Sequence, residues 1–419
     1  MGRARLTSTA AAACAALLAY AGAAPAGAQE PVPAPAPVPV TPPVTPPDPS
    51  VSAASSPLAG DGMWIWYVSK SGGTAKRIAA KAKRRGIEVV FIKSGDAGKS
   101  WSQFTPGLVN ALNARGIDVC AWQFVYGDSP KAEARVGAAS VARGADCLII
   151  DAEGHYEGKY AEASTYISAL RARIGPEFPL GLSSFPYVDY HPAFPYSVFL
   201  GPDGAQFNLP QVYWKTIGDL VDESFVHTYV FNRAYGRAIL PTGQTYLNPS
   251  AGQVRRFRRL ALAHGMAGVS WWSWQHSRGR QWKAVSGSVA PIPGYQTYDS
   301  YPFLKLGSKG DLVAWAQQLL AGGGYATPVT GYFEAPTRNA VLALQAAKGL
   351  VQTGTIDIPT WDVLQTHTPL RVRWTSGGAV AASGAGAAGG ASILREPRSA
   401  KLDARRYEIP AELSESSRP

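Results

Sequence analysis

Short apolar runs alternate with longer amphipathic stretches between about residue 62 and residue 285 of this 419-residue chain. A strand followed by a helix, repeated many times, favours parallel strands joined by crossover helices. Eight such repeats predict an α/β fold, a (β/α)8 TIM-like barrel. The eight predicted strands are Met63–Val68, Glu88–Lys93, Asp118–Phe124, Cys147–Ile150, Leu180–Ser183, Leu209–Trp214, Ala238–Pro241 and Gly268–Trp274.

The stretches between these runs have helical character. Three of them end at glycines, which is typical of helix C-termini because glycine adopts positive φ at little cost. Residues 184–208 are rich in proline and aromatic side chains, so they predict a long loop in place of a crossover helix. A doubly wound open sheet is the competing fold, but no glycine-rich phosphate loop follows the first run. The predicted helices are Thr74–Arg85, Leu108–Arg115, Lys131–Arg143, Tyr160–Arg173 and Gly252–His264.

The fourth run carries two carboxylates at its end, where a barrel places its chemistry. Because strand side chains alternate, Ile149, Asp151 and Glu153 are predicted to point the same way, into the barrel mouth. Burying charge there is expensive unless the charge is used or paired. Two adjacent carboxyls push their pKa values apart, which leaves one able to act as an acid.

The other strand ends combine aromatic rings with amide and charged groups. Rings of this kind stack on the apolar faces of sugars, and the polar groups bind hydroxyls. This combination predicts a carbohydrate site in which Tyr213 accompanies the acid pair. The candidates for substrate binding are Asp96, Gln211, Gln244, Trp271 and Trp274, with Lys93, Tyr126, Tyr246, Trp272 and Gln275 close by in sequence.

A second pattern follows at residues 301–366. Leu306–Val313 opens an amphipathic run that ends at Gln317–Leu320, and a comparable unit runs from Thr330 through Gln345 to Trp361. Apolar positions at helical spacing, glycines between helices and threonines at helix starts make up both units. The segment resembles the small three-helix peptidoglycan-binding domain (type 1) of secreted cell-wall enzymes. This resemblance implies a module that localises a catalytic partner to murein.

The barrel segment carries partial resemblances of its own. Asp146–Glu153 resembles the fourth-strand signature DxxDxDxE of chitinase-like glycoside hydrolases of family 18, with Ile149 in place of one aspartate. Gln211–Tyr213 resembles that family's sixth-strand motif, which normally begins with methionine, and Gly268–Trp272 resembles its eighth strand. The D-x-E pair is also similar to that of the family 25 lysozymes, which carry a first-strand aspartate where this chain has Met63–Trp66.

These resemblances imply roles for the acid pair. In a family 18 mechanism Glu153 is the general acid, Asp151 polarises the 2-acetamido group of the substrate, and Tyr213 hydrogen-bonds its carbonyl. In a family 25 mechanism Asp151 has an electrostatic or base role together with another carboxylate, for which Asp96 is the candidate.

The ends of the chain have their own compositions. Residues 1–28 combine a basic start, an apolar run and Ala26–Ala28, which predicts a signal peptide. A Pro-rich linker is predicted at 29–61, the barrel at 62–290, the binding domain at 301–367 and a disordered Gly/Ala-rich tail at 375–419. No membrane anchor is predicted. The formal charge of +11 favours either solubility or attraction to anionic wall polymers, and no basic patch with interleaved aromatics points to nucleic acid.

After cleavage of the signal peptide, Cys120 and Cys147 are the remaining cysteines, and both lie in apolar runs. We expect buried thiols here in preference to a disulfide. No ligands occur at zinc spacing, so neither a metal nor another cofactor is predicted. His155, beside the acid pair, is expected to be a loop residue.

The sequence therefore predicts a secreted, wall-associated and monomeric glycoside hydrolase that cleaves peptidoglycan glycan or a related N-acetylated polysaccharide. Its type would be a muramidase or an N-acetylglucosaminidase. The alternative is a non-catalytic peptidoglycan-binding protein with a degenerate barrel, and a peptidase or amidase is a third possibility. The missing carboxylates of both family patterns motivate the non-catalytic alternative.

Overall fold

The computed structural model describes residues 55–376 and 378–381. Within these ranges eight parallel strand positions close into a barrel, because the first strand pairs with both the second and the last. The predicted TIM-like barrel is thereby confirmed. The strands are β1 (Gly60–Ile65), β2 (Val89–Asp96), the short antiparallel β3 (Lys99–Ser100), β4 (Asp118–Val125), β5 (Cys147–Ala152), β6 (Leu180–Ser184), β7 (Phe207–Val212), β8 (Ala238–Ile239) and β9 (Thr242–Gln244), which share the seventh position, and β10 (Gly268–Trp272).

Helices cover the outside of the barrel. Thr74 and Thr105 cap two of them by accepting backbone N–H bonds, and Ser250 and Gln253 form a capping box at a third. Gly86, Gly116 and Gly265 have positive φ and follow helices as predicted. The helices are α1 (Ala75–Arg84), α2 (Pro106–Asn113), α3 (Pro130–Ala142), α4 (Tyr160–Ile174), α5 (Tyr196–Phe199), α6 (Trp214–Ile217), α7 (Val221–Asn232), α8 (Ala251–Ala263) and α9 (Gly279–Ala284).

All eight predicted strands are present. The segment 184–208 is mainly a loop, as expected, with a short 3-10 helix at Val188–Tyr190 and the helical turn α5 inside it. Helix α7 was not predicted, because its apolar residues do not form one clear stripe. None of the helices in the described ranges combines the length and apolar character needed to cross a bilayer.

The barrel wall separates two apolar layers. On β1, Met63 and Ile65 pack outward beneath the helices, whereas Trp64 and, directly after the strand, Trp66 point inward. The interior is unusually aromatic, since the rings of Trp64, Trp122 and Trp272 lie 5.5–5.7 Å from one another. Aromatic packing of this kind fills the barrel beneath the mouth and holds the strand ends in place.

Cys120 and Cys147 also point into the barrel. They are partners in the register of β4 and β5, with Cα atoms 4.5 Å apart, and a disulfide joins them. The expectation of two buried thiols is therefore wrong. The two cysteines can form a disulfide because the pairing of neighbouring strands places them side by side.

The C-terminal segment forms three helices, α10 (Asp311–Gly322), α11 (Ala335–Ala347) and α12 (Ile358–Leu364). Its two sequence units are structurally equivalent. Gln317 Oε1 accepts the backbone N–H groups of Thr330 and Gly331, and its Nε2 donates to Tyr332 O and Thr337 Oγ1. Gln345 makes the same kinds of contact one unit later. Its partners are Gly354 N, Thr355 O, Thr360 Oγ1 and Thr353 Oγ1.

This module docks on the barrel through a buried carboxylate. Asp311, in the first turn of α10, is 1% exposed and accepts hydrogen bonds from Ser197 N, Ser197 Oγ and Tyr235 Oη at 2.7–2.8 Å. Trp315 Nε1 and Gln365 Nε2 both donate to Ala234 O at 2.7 Å. The barrel and the module are thus joined by specific hydrogen bonds, several of them buried.

A short hairpin follows the module. Strands β11 (Val372–Thr375) and β12 (Gly378–Ala381) pair antiparallel, and Trp374 packs on Tyr160 of α4 with ring centroids 4.6 Å apart. The expectation of disorder from residue 375 onward therefore does not hold for β12. The rest of that tail, the signal peptide and most of the linker lie outside the described residues.

Candidate active site

The predicted acid pair lies inside the barrel at the end of β5. Ile149 belongs to the interior apolar cluster, and Asp151 and Glu153 follow at alternate positions on the same side. Asp151 is 2% exposed and Glu153 is 8% exposed. The two carboxyls are close neighbours, because one Gln211 nitrogen lies within hydrogen-bond distance of both, and two adjacent buried carboxyls disfavour the loss of both protons. The period of two along the strand thus places the pair as the sequence predicts.

Gln211 connects the pair to the neighbouring strands. Its Nε2 lies 3.1 Å from Asp151 Oδ1, 2.9 Å from Glu153 Oε1 and 3.2 Å from Ser183 Oγ. Gln211 stands on β7 and Ser183 on β6, so three adjacent strands converge on one amide group. The structure therefore shows Gln211 holding the carboxyls, whereas the sequence analysis assigned it to substrate binding.

Burial and charge act together on Asp151. Loss of solvent raises its pKa well above the ordinary value, the neighbouring Glu153 raises it further, and the ammonium of Lys93 opposes both effects. Such surroundings favour a state in which the pair as a whole keeps one proton to higher pH than exposed carboxyls do. The pair can therefore supply one acidic proton and one negative charge, the two properties that acid-catalysed glycoside cleavage requires.

Lys93, on β2, is the cation of the site. Its Nζ lies 2.6 Å from Asp96 Oδ2 and 4.6–4.8 Å from the ring centroids of Trp66, Trp101 and Trp122. Asp96 also accepts a hydrogen bond from Tyr126 Oη at 3.2 Å. Asp96 is thus engaged with protein partners at the mouth.

Tyrosines flank the acid pair. Tyr213 follows β7 and packs edge-on against Tyr246, with ring centroids 5.3 Å apart. Burial raises the pKa of the Tyr213 hydroxyl, and Tyr246 and the acid pair raise it further. The hydroxyl therefore stays protonated and can donate a hydrogen bond. Toward solvent, the mouth is bordered by Tyr67 and Trp101 on one side and by Phe124, Tyr126 and His155 on the other.

The structure removes three predicted residues from the mouth. Gln244 is fully buried and bonds Lys215 N and Tyr246 O, so it fixes loops. Trp271 packs outward against Phe257 of α8, with ring centroids 5.4 Å apart. Trp274 packs on Trp282, and the ammonium of Lys81 also lies near this ring. These contacts correct the expectation that the three side chains bind substrate.

Sequence reasoning missed two parts of the site. Ser183 was included in a predicted strand without a role, and Lys93 was noted at a strand end without a partner. Alternation along β10 could have separated Trp272, which points inward with Ser270, from Trp271. The sequence does not indicate that Trp66, Trp101 and Trp122 surround Lys93, because these rings come from β4 and from the segments that follow β1 and β3.

The C-terminal module is similar to a known domain family. Residues 309–364 match the family model of the peptidoglycan binding domain (PG_binding_1). The resemblance predicted for this segment is confirmed. Residues 309–364 form a peptidoglycan-binding domain. No curated relative matches the chain.

Solved structures resemble the barrel. A chitinase from Chromobacterium violaceum is 14% identical and aligns over 54% of this chain and 98% of its own, with a TM-score of 0.39. The spore cortex-lytic enzyme SleL of Bacillus cereus is 11% identical over 54% and 73%, with a TM-score of 0.41. The active domain 2 of a Pyrococcus furiosus chitinase is 12% identical over 56% and 95%, with a TM-score of 0.42. Similarities this low carry no information about activity, so the proposals below rest on the geometry of this chain.

Proposed function

We propose that the barrel is a cell-wall glycoside hydrolase and that Glu153 is its general acid. The observation that carries this proposal is the close pairing of the buried Asp151 and Glu153 carboxyls at the barrel mouth, where Gln211 holds both. Glu153 is the more exposed of the two, so it is the one that reaches a glycosidic oxygen.

The spacing of the carboxyls favours one mechanism. An inverting glycosidase keeps its carboxyls roughly 6.5–9.5 Å apart so that a water molecule fits between them, and a retaining enzyme keeps them about 5–5.5 Å apart. Both carboxyls contact one Gln211 nitrogen, so they are too close together for the inverting arrangement, and Asp151, which is 2% exposed, lies too deep to act as the nucleophile of a retaining enzyme. Asp96, the nearby alternative, is bound to Lys93 and Tyr126. The geometry therefore favours substrate assistance, in which the acetamido oxygen of the substrate attacks the anomeric carbon.

Each neighbouring group then has a task. Glu153 donates its proton to the leaving oxygen, Asp151 stabilises the charge that develops on the acetamido nitrogen, and the Tyr213 hydroxyl donates to the acetamido carbonyl. Substrates of this mechanism must carry a 2-acetamido group, as the sugars of peptidoglycan and chitin do. The peptidoglycan-binding domain supports peptidoglycan as the target and a location at the cell wall. Secretion rests on the signal peptide predicted at residues 1–28.

One observation favours a non-catalytic alternative, namely the depth of the acid pair. Asp151 and Glu153 are nearly inaccessible, and Ile149 stands where the family 18 signature has a further carboxylate. A wall-binding protein with an inactive barrel would have no need of an accessible acid. Activity on a soluble substrate separates the two functions, because a binding protein releases no product.

The direct test is incubation of the full chain with purified peptidoglycan and with chitin oligosaccharides, followed by detection of new reducing ends. We expect release from at least one N-acetylated substrate and little from its de-N-acetylated counterpart. Equal release from both forms would exclude substrate assistance. No release from either polymer across the pH range would favour the binding protein.

A further inference from the structure

A buried ammonium lies inside the barrel beside the acid pair. Lys93 is 2% exposed, and its position in the register of β2 is opposite Trp122 of β4. Trp122 in turn pairs with Ile149, one inward-pointing position before Asp151 on β5. The backbone of Lys93 therefore lies one inward-pointing layer beneath that of Asp151, and its side chain enters the same barrel interior.

The ammonium of Lys93 is surrounded mainly by aromatic rings, with one carboxylate as its hydrogen-bond partner. An ammonium offers three N–H donors, and the single hydrogen bond described for it is the one to Asp96. Three tryptophan faces supply the remaining contacts, which stabilise a cation less than water does. Burial lowers the pKa of Lys93, while Asp96, Asp151 and Glu153 favour its charged form. Such a costly cation is expected where its charge has a use.

We propose that Lys93 is a positioning residue whose charge sets the number of protons held by the Asp151–Glu153 pair. Its effect on turnover rests on the proposed glycosidase function, whereas its effect on the carboxyls is a property of the fold alone. Without a cation at this place, two buried carboxyls both stay protonated over a wider pH range. With it, the pair holds one proton and one negative charge, the state that can donate to a leaving group and stabilise the cation that forms.

The other charged or titratable groups around the pair are few. Asp96 on β2 carries the competing negative charge, and Tyr126, after β4, bonds to it. Tyr213 and Tyr246 border the pair from the β7 and β9 side, and burial raises the pKa of both hydroxyls, so they remain neutral. His155 lies against Tyr126 at the solvent side of the mouth. The buried Lys93 and the half-buried Asp96 are therefore the charges that act on the pair with opposite signs.

The charges of Lys93 and Asp96 have opposite signs, so removing one or the other should shift the ionisation of the pair in opposite directions. A merely structural role of Lys93 would not produce this pattern. Lys93→Met replaces the cation by a neutral side chain of similar length that suits a tryptophan cage. It should raise the pH at which the pair ionises. Asp96→Asn keeps the shape of its side chain and removes a negative charge, so it should lower that pH. With an effective dielectric constant of about 20, a unit charge about 10 Å away corresponds to a change of roughly 1 pH unit, which is the size expected inside one barrel.

The measurement is a carboxyl carbon NMR titration of the full chain labelled at aspartate and glutamate side chains. Asp151→Asn and Glu153→Gln assign the two signals. We expect Lys93→Met to move the midpoint of the pair up by about 1 pH unit and Asp96→Asn to move it down. Unchanged midpoints, or shifts of the same sign in both variants, would overturn the proposal. If Lys93→Met does not fold, the direction of the Asp96→Asn shift decides.

The titration does not depend on activity. If the protein hydrolyses N-acetylated glycan, the acidic limb of its pH–rate profile must move with the NMR midpoint in both variants. If it hydrolyses nothing, the proposed function fails while the NMR result still decides the role of Lys93.

Discussion

Replacing Asp311 with asparagine separates the charge of the docking carboxylate from its hydrogen bonds. An asparagine carbonyl can accept from Ser197 N and Tyr235 Oη in place of Asp311 Oδ2, and its amide can donate to Ser197 Oγ, which turns to accept. The contacts between barrel and module are therefore kept. The difference that remains is the cost of a buried negative charge.

That cost follows from the pKa of Asp311. Burial raises it from the ordinary 3.8 to about 6, although bonds from Ser197 and Tyr235 oppose the change. Below about pH 4 the carboxyl is protonated in both the folded and the unfolded chain. No negative charge is then buried on folding, and the contribution of the neutral carboxyl to the free energy of unfolding is fully present. As the pH rises to about 6, the unfolded chain ionises first and the contribution is lost. At about 1.4 kcal/mol per pH unit, the loss is about 3 kcal/mol.

We therefore expect Asp311→Asn to have nearly the stability of the wild type at pH 4 and to exceed it by up to about 3 kcal/mol at pH 7. Asp311→Ala is the comparison, because it leaves the donors of Ser197 and Tyr235 buried without an acceptor. At roughly 1–3 kcal/mol for each such group, it should destabilise at both pH values.

The assay is urea unfolding of the full chain at pH 4 and pH 7, followed by tryptophan fluorescence. Trp315 lies at the interface and reports undocking of the module. A stability difference between Asp311→Asn and wild type that stays constant with pH would refute the reasoning. So would an Asp311→Asn variant that is as unstable as Asp311→Ala at pH 7.

Two further predictions concern the barrel disulfide and the module. Replacing both Cys120 and Cys147 with alanine opens a loop with a sequence separation of 27 residues, so the unfolding free energy should fall by about 3 kcal/mol. Denaturant titrations measure this change, and a decrease of less than about 1 kcal/mol would contradict the prediction. Gln345→Leu keeps the volume but removes four hydrogen bonds, two of them buried, so it should destabilise by about 2–4 kcal/mol and reduce retention of the full chain on purified wall sacculi. Gln317→Leu, its equivalent in the first unit, should behave alike, and wild-type retention by both variants would refute the role given to the glutamines.

Local pattern was sufficient to predict the barrel and the acid pair. Alternation along β5 placed Asp151 and Glu153 on the inner face because Ile149 precedes them in phase. On β10 the adjacent residues Trp271 and Trp272 are chemically alike, so composition did not indicate which one faces inward. The long-range contacts of Ser183 with Gln211 and of Trp122 with Lys93 depend on which strands are neighbours, and no spacing in the sequence records that.

The disulfide and the docking carboxylate illustrate the same point. Cys120 and Cys147 occur in ordinary apolar runs, and only the register of β4 against β5 brings them together. Asp311 is a common first-turn residue of a helix, where a carboxylate interacts favourably with the helix dipole. Its burial against Ser197 and Tyr235 arises from the packing of two domains, which a reading of either domain alone does not contain.

The central claim is that Glu153 is the general acid of a glycoside hydrolase. Its most direct test compares the release of reducing ends from purified peptidoglycan by wild type, Glu153→Gln and the control Glu177→Gln. Glu177 is exposed and precedes β6, at the opposite end of the barrel from the acid pair. We predict that Glu153→Gln loses about 10²- to 10⁴-fold in rate while binding to the wall is unchanged, and that Glu177→Gln equals wild type. A Glu153→Gln variant as active as wild type would contradict the account.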